Sequence, residues 1–148
     1  MSPSNFNRSL FFVLPAAWWA GVRLTEQSSV SATASVKLSY WSKNPFKSIF
    51  WAVQGMAAEL STGVLVMAAI KKSGKSISML VLNNSANFSK KAKGRINFTC
   101  NDGEAMAQAI AKAVATGEGQ TCWMTAVGTD AQGDVVSTFK FEWTVKMK

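Results

Sequence analysis

The chain contains no histidine, which excludes imidazole-based triads, histidine general bases and histidine-ligated metals, and leaves acid–base chemistry mainly to carboxylates. Among the carboxylates Glu59 stands apart. It is the only acidic residue between Glu26 and Asp102, and it is set among Gly55, Met56, Ala57, Ala58, Leu60 and Gly63. Burial disfavours the charged form, so a carboxylate in such surroundings persists when it meets a cation, reaches solvent at a cleft, or does chemistry. Pairing with Lys or Arg across a subunit interface is the structural alternative to a catalytic role. At helical spacing Ser48, Ala52, Gly55, Glu59 and Gly63 share one face almost without bulk, where a ligand or another backbone could approach.

Asn44 precedes Pro45 at the entry to the same segment, where its side chain can cap a first helical turn or serve a site. Free backbone N–H groups around Phe50 and Trp51 can act on an oxyanion if the first turn is irregular, since a helix satisfies its later donors itself. Gln54 is expected to be a satisfied amide of the core or of an interface. Cys100 and Cys122 lack CxxC spacing and a partner histidine, so they are expected as buried strand residues, with no metal site. A reducing cytoplasm fits this cysteine usage.

Several elements must position these groups. The stretch FKSIFWAVQGMAAELSTG predicts a helix of about five turns, apolar on nearly every face and therefore buried all round. Before it, Ser4 is placed to cap a short helix to about Leu14, which Pro15 ends or kinks, and a strand from about Trp19 to Thr25 follows. Residues 10 to 22 are uncharged and follow Arg8, superficially like a signal peptide. The run is too short to span a bilayer, and Pro15, Trp18 and Trp19 favour a helix packed on the core; no transmembrane segment is expected.

Val30, Ala32, Ala34, Val36, Leu38 and Tyr40 alternate with polar residues as a half-buried strand does. Val64 to Ile70 and Ser76 to Leu82 predict a hairpin through KKSGK, with Gly74 in the turn. A strand at Ile96, Phe98 and Cys100 leads into a second helix, capped by Asn101 and Asp102 and ended by Gly117. Thr121 to Val127 and Val135 to Met147 predict a last hairpin, with Phe139, Phe141, Trp143, Val145 and Met147 facing inward.

The whole of residues 1–148 is thus expected to form one α+β domain. A long helix that is apolar all round, among mostly antiparallel strands, is best accommodated by a curved sheet wrapped about it, which is the hotdog architecture. Edge-to-edge pairing of two such sheets predicts a homodimer or a dimer of dimers. A charged share of only 16% fits a surface partly covered by another subunit.

With these residues in view, NPFKSIFWAVQGMAAELSTG, in which an Asn precedes a central-helix acid by fifteen residues, resembles the hotdog acyl-CoA thioesterases, most closely the DUF4442 family. The resemblance extends to the order of elements along nearly the whole chain. It implies that Glu59 activates water or attacks the thioester, that Asn44 positions the water, and that the Trp51 amide polarises the carbonyl. The His-Gly that usually precedes the helix in these enzymes is replaced here by Phe50 and Trp51. Ser48, Gly55 and Gly63 would border the substrate, and Ser76 or Ser78 lies where related enzymes place a hydroxyl from the opposite subunit.

The net charge of +8 predicts an anionic partner. Lys90, Lys91 and Arg95, in a cluster with Lys71, Lys72, Lys75 and Lys93, could meet the phosphates of coenzyme A, or form a merely solvated face. Coenzyme A would enter as part of the substrate, with no separate cofactor. A non-catalytic acyl-CoA or lipid binder is the alternative function. Neither a membrane nor a nucleic acid is expected as partner, the latter because no recognised motif is present and the aromatics suit core positions.

Overall fold

The computed structural model describes residues 2–148. Two short helices open the chain, α1 (Pro3–Val13) and α2 (Pro15–Trp19), each with proline in its first turn, where the missing N–H costs nothing. Ser2 rather than Ser4 caps α1, its hydroxyl accepting from the Asn5 amide at 3.4 Å. Because Trp19 closes α2, the strand expected from there begins only at Arg23. The strands β1 (Arg23–Gln27) and β2 (Ala32–Lys37) follow, then α3 (Trp51–Ser73), β3 (Ile77–Phe88), β4 (Arg95–Cys100), α4 (Gly103–Thr116), β5 (Gln120–Thr129) and β6 (Val135–Met147).

The six strands form one sheet in the order β1-β2-β4-β5-β6-β3, with every neighbouring pair antiparallel. It curves around α3, and the protein has the hotdog fold. Phe139, Phe141, Trp143 and Val145 of β6 are buried as their alternation predicts, and Met147 packs at the margin of the core. Phe98 lies so close to β5 that a side chain at Gly128 would fall 2.5 Å from its ring, which explains the glycine within that strand.

The central helix differs from expectation at both ends. Val64 to Ile70 is its second half, and KKSGK forms no hairpin turn. Instead Gly74, at φ 66°, caps the helix in the left-handed conformation, its N–H donating to the Lys71 carbonyl at 3.2 Å. A short apolar run rich in β-branched residues has no periodicity that separates strand from buried helix, and burial here overrides local propensity. At the other end, Phe46 to Phe50 is not helical. Lys47 has a positive φ of 59°, and a bridge between Lys43 and Ile49 closes this loop. Ser48 therefore lies in the loop and not on the helical face of Glu59.

By length and composition α3 could cross a membrane, yet 61% of its most apolar stretch is buried inside the protein, which marks a core helix. Its polar residues are satisfied there. The Trp143 indole N–H donates to Thr62 Oγ1 at 3.0 Å, while Gln54 donates to the Ile49 carbonyl at 3.0 Å and accepts from Ser137 at 2.8 Å. Cys100 is fully buried, whereas Cys122 is only half-buried, at the margin of the sheet.

Candidate active site

Two concavities flank the first half of α3. One, of about 210 Å³, is walled by Val13, Leu14, Pro15, Ala16 and Ala17 on one side and by Met56 and Glu59 on the other. The break between α1 and α2 creates it, because Pro15 cannot continue the first helix and turns the chain across the open side of α3. Glu59 is the one ionisable group in an otherwise apolar lining. Among the described residues the only ion pairs are those of Lys90 with Asp130 and Asp134, so none of those residues supplies Glu59 with a counter-charge. Burial accordingly pushes its carboxyl above the ordinary value of 4.5.

The faces beside Glu59 are occupied. A side chain at Gly63 would meet Glu59 Oε1 at 3.4 Å and the Trp143 ring at 3.5 Å, and one at Gly55 would meet the Phe139 ring at 3.4 Å. The small residues of α3 thus allow the aromatics of β6 to approach. Ala52, Met56 and Glu59 are half-exposed along the open side of α3, with Gly55, also half-exposed, between that side and the Phe139 ring of β6.

The second concavity, of about 520 Å³, lies at the start of α3 and is bordered by Asn44, Ser48, Phe50, Trp51, Gln54 and Lys91. Phe50 occupies the N-cap position with no side-chain cap, so the amides of Trp51 and Ala52 point outward without the usual acceptor. Asn44 does not cap α3. Its Oδ1 accepts from the amides of Phe46 at 2.9 Å and Ser48 at 3.2 Å, and its Nδ2 donates to Ser48 Oγ at 3.0 Å, so it holds the loop that delivers the chain to Trp51.

Asn44, Ser48 and Trp51 are brought together; Glu59 is not with them. Eight residues separate Trp51 from Glu59 on one helix, a rise of about 12 Å. Ser76 and Ser78 are exposed at the opposite edge of the sheet from β1, Ser76 just before the edge strand and Ser78 its second residue, donating to the Lys146 carbonyl at 3.2 Å. The basic cluster is divided as well. Lys90 is held by Asp130 at 2.6 Å and Asp134 at 2.8 Å, contacts that raise its own pKa and lower that of Asp130, and Arg95 donates to Ser35 at 3.2 Å. Lys91 alone of these three borders the Trp51 concavity without a partner of that kind. Lys71 and Lys72 lie at the far end of α3, beside a cavity of about 350 Å³ with Phe6 and Val64.

The wall formed by Val13–Ala17 was not foreseen as part of any site. Its signal in the sequence was an uncharged run broken by proline, which a packed helix explains equally well.

The profile of a family described as a domain of unknown function, DUF4442, matches residues 3–145. No curated protein matches the sequence. Among solved structures, a protein of unknown function from Pseudomonas aeruginosa, described as a "Probable Thioesterase", superposes with a TM-score of 0.85 at 19% identity, over 99% of this chain and 97% of its own. A protein of unknown function from Chlorobaculum tepidum superposes at 0.82 and 15% identity, covering 99% and 98% of the two chains. A thioesterase from Haemophilus influenzae does so at 0.73 and 12% identity, covering 99% and 92%.

Proposed function

This chain belongs to the DUF4442 family, and from that premise we propose that it hydrolyses an acyl-CoA thioester with Glu59 as general base or nucleophile. The observation that carries this reading is a half-exposed carboxylate with no counter-charge among the described residues, its pKa raised by burial, in an apolar cavity beside the central helix. The thioesterase descriptions of the structural neighbours from Pseudomonas aeruginosa and Haemophilus influenzae support it. In the reaction, water adds to the thioester carbonyl, or Glu59 adds first and water follows; the carbon–sulfur bond breaks, and the thiol leaves with a proton.

A two-fold pair of chains is part of the proposal. Two antiparallel copies of α3 crossing at Gly55 would set Trp51, four residues before the crossing, opposite Glu59 of the partner, four residues after it. Such a pair would close the 12 Å gap that separates the amide from the carboxylate along one helix, and it would cover the open side of α3 at Ala52, Met56 and Glu59. In that assembly the Trp51 amide polarises the carbonyl, Asn44 shapes the loop around it, and Lys91 meets a phosphate of coenzyme A. Ser76 and Ser78 remain hydroxyls that a partner could receive at the exposed β3 edge. A dimer or a dimer of dimers in the cytoplasm is the setting we propose, with no nucleic acid involved.

Non-catalytic binding of acyl-CoA or lipid is the second reading. It is favoured by one observation: the amide of Asn44 is engaged by its own loop, which leaves it little capacity to orient water.

The test is thiol release from acyl-CoAs of graded chain length by the wild type and by Glu59→Ala. Burial pushes both thiols up, that of Cys100 to about 12, so whatever background Cys122 gives to a thiol reagent is common to the wild type and Glu59→Ala. Release by the wild type alone supports the hydrolase. Saturable binding without release by either protein supports the binder.

A further inference from the structure

The aromatics at the start of the chain, which their sequence suggests belong in the core, form an exposed surface instead. Ring centroids run in contact from Phe12 to Phe11 (5.1 Å), Phe11 to Trp18 (5.0 Å), Trp18 to Trp19 (5.4 Å), Trp19 to Trp41 (5.7 Å) and Trp41 to Tyr40 (5.5 Å). Five of the six rings are substantially exposed, from 41% at Phe11 to 81% at Phe12. A connected apolar surface of this kind has a partner more often than not.

Cations border these rings. Arg8 and Arg23 line a shallow groove with Phe11, Phe12 and Trp18, and Lys43 stands 4.9 Å above the Tyr40 ring. Over residues 1–58 the charged side chains are Arg8, Arg23, Lys37, Lys43 and Lys47 against Glu26 alone. Trp and Tyr rings beside Lys and Arg suit the headgroup level of a lipid bilayer, where the rings enter the acyl boundary and the cations meet phosphates.

A second copy of the chain fits this surface less well. A two-fold contact would press the cationic patch against itself, which is repulsive.

We propose that the aromatic surface from Phe12 to Tyr40, with Arg8, Arg23 and Lys43 at its margin, docks the protein on an anionic membrane surface. This replaces the expectation from sequence that no membrane is involved. Val13 and Leu14 belong both to this surface and to the wall of the Glu59 cavity, so docking would set that cavity beside the bilayer, where an amphiphilic thioester collects. Only this last link rests on the hydrolase reading; docking itself does not.

The experiment is flotation of the full chain with phosphatidylcholine vesicles, with and without phosphatidylglycerol, at low and high salt. The wild type should float with the anionic vesicles and be released by salt. Arg8→Gln/Lys43→Gln should bind about 25-fold more weakly, at roughly fivefold for each cation. Phe12→Ser/Trp41→Ser should bind at least about tenfold more weakly, since two inserted rings are lost; circular dichroism confirms that these surface changes leave the fold intact. Failure of the wild type to float would overturn the proposal, as would flotation that ignores the aromatic substitutions, which marks mere charge attraction. A wild type that does not float but is split by Phe12→Ser/Trp41→Ser from oligomer to monomer would assign the surface to a second copy. Because flotation reads no turnover, an inactive protein that floats leaves docking standing while the hydrolase reading falls.

Discussion

From Leu60 to Val66 every residue of α3 is buried, whereas from Trp51 to Glu59 the same helix leaves Ala52, Gly55, Met56 and Glu59 half-open. Both stretches are apolar by composition. What separates them is the cover: the sheet and α4 together enclose Leu60 to Val66, but the stretch before it has the sheet on one side and concavities on the others. Apolarity in one helix thus serves two purposes, a core in which every contact stabilises and a cleft in which a carboxylate is held short of full hydration.

The sharpest way to break this comparison is to truncate one residue from each half. Glu59→Ala should lower thioester turnover by about 10²- to 10⁴-fold, the usual range for a lost general base, with no loss of stability. Leu65→Ala, at a fully buried position, should cost about 2–5 kcal/mol in denaturant unfolding while the residual folded protein keeps its turnover. Unfolding caused by Glu59→Ala would make the first half core as well.

A smaller effect is expected at the polar link between helix and sheet. Thr62→Val removes the acceptor of the buried Trp143 N–H and nearly preserves volume, so about 1–3 kcal/mol should be lost. At the exposed end of the second half, Gly74→Ala forces a side chain into a left-handed conformation and should cost about 1 kcal/mol in the same assay. No change for Gly74→Ala would mean that the helix end is not fixed by this cap.

These positions also show what the sequence could and could not disclose. The alternation of β6 was legible because one face of the strand is dry, and that of β2 holds from Ala32 to Lys37 but not out to Val30 and Tyr40, which are exposed. Gly117 marked the end of α4 through its left-handed cap, whereas Asp102 stands at the N-cap position without capping, its carboxylate accepting from the Thr125 amide at 2.7 Å instead. Val64 to Ile70 was not legible as helix, because a segment buried on all sides has no polar face to carry a period. Glu59 could be singled out as an isolated acid, but its separation from Asn44 and Trp51 depends on where α3 starts, and the loop strained at Lys47 sets that point. The aromatics as a group suit core positions by type, yet Phe12, Trp19 and Trp41 are exposed, because hydrophobicity alone does not state whether it is covered by this chain or by something else.

The smallest expected effect concerns the charge on Glu59. Folding raises its carboxyl above the unfolded value of 4.5 by desolvation, so the native state disfavours the ionised form. Below the unfolded value the carboxyl is protonated in both states and contributes nothing; as pH rises through the raised folded value the chain progressively loses stability, and the loss is complete above it. Glu59→Gln lacks this titration. Wild type and variant should therefore unfold alike in acid and diverge between 4.5 and the raised folded value, with the variant the more stable at neutral pH in thermal unfolding. The acidic limb of wild-type turnover should lie above the ordinary carboxylate range for the same reason. A partner's Lys or Arg seated on Glu59 would lower its pKa instead, and Glu59→Gln would then be the less stable protein at neutral pH. The sign of one difference thus decides whether the open half of α3 holds a base or an interface ion pair.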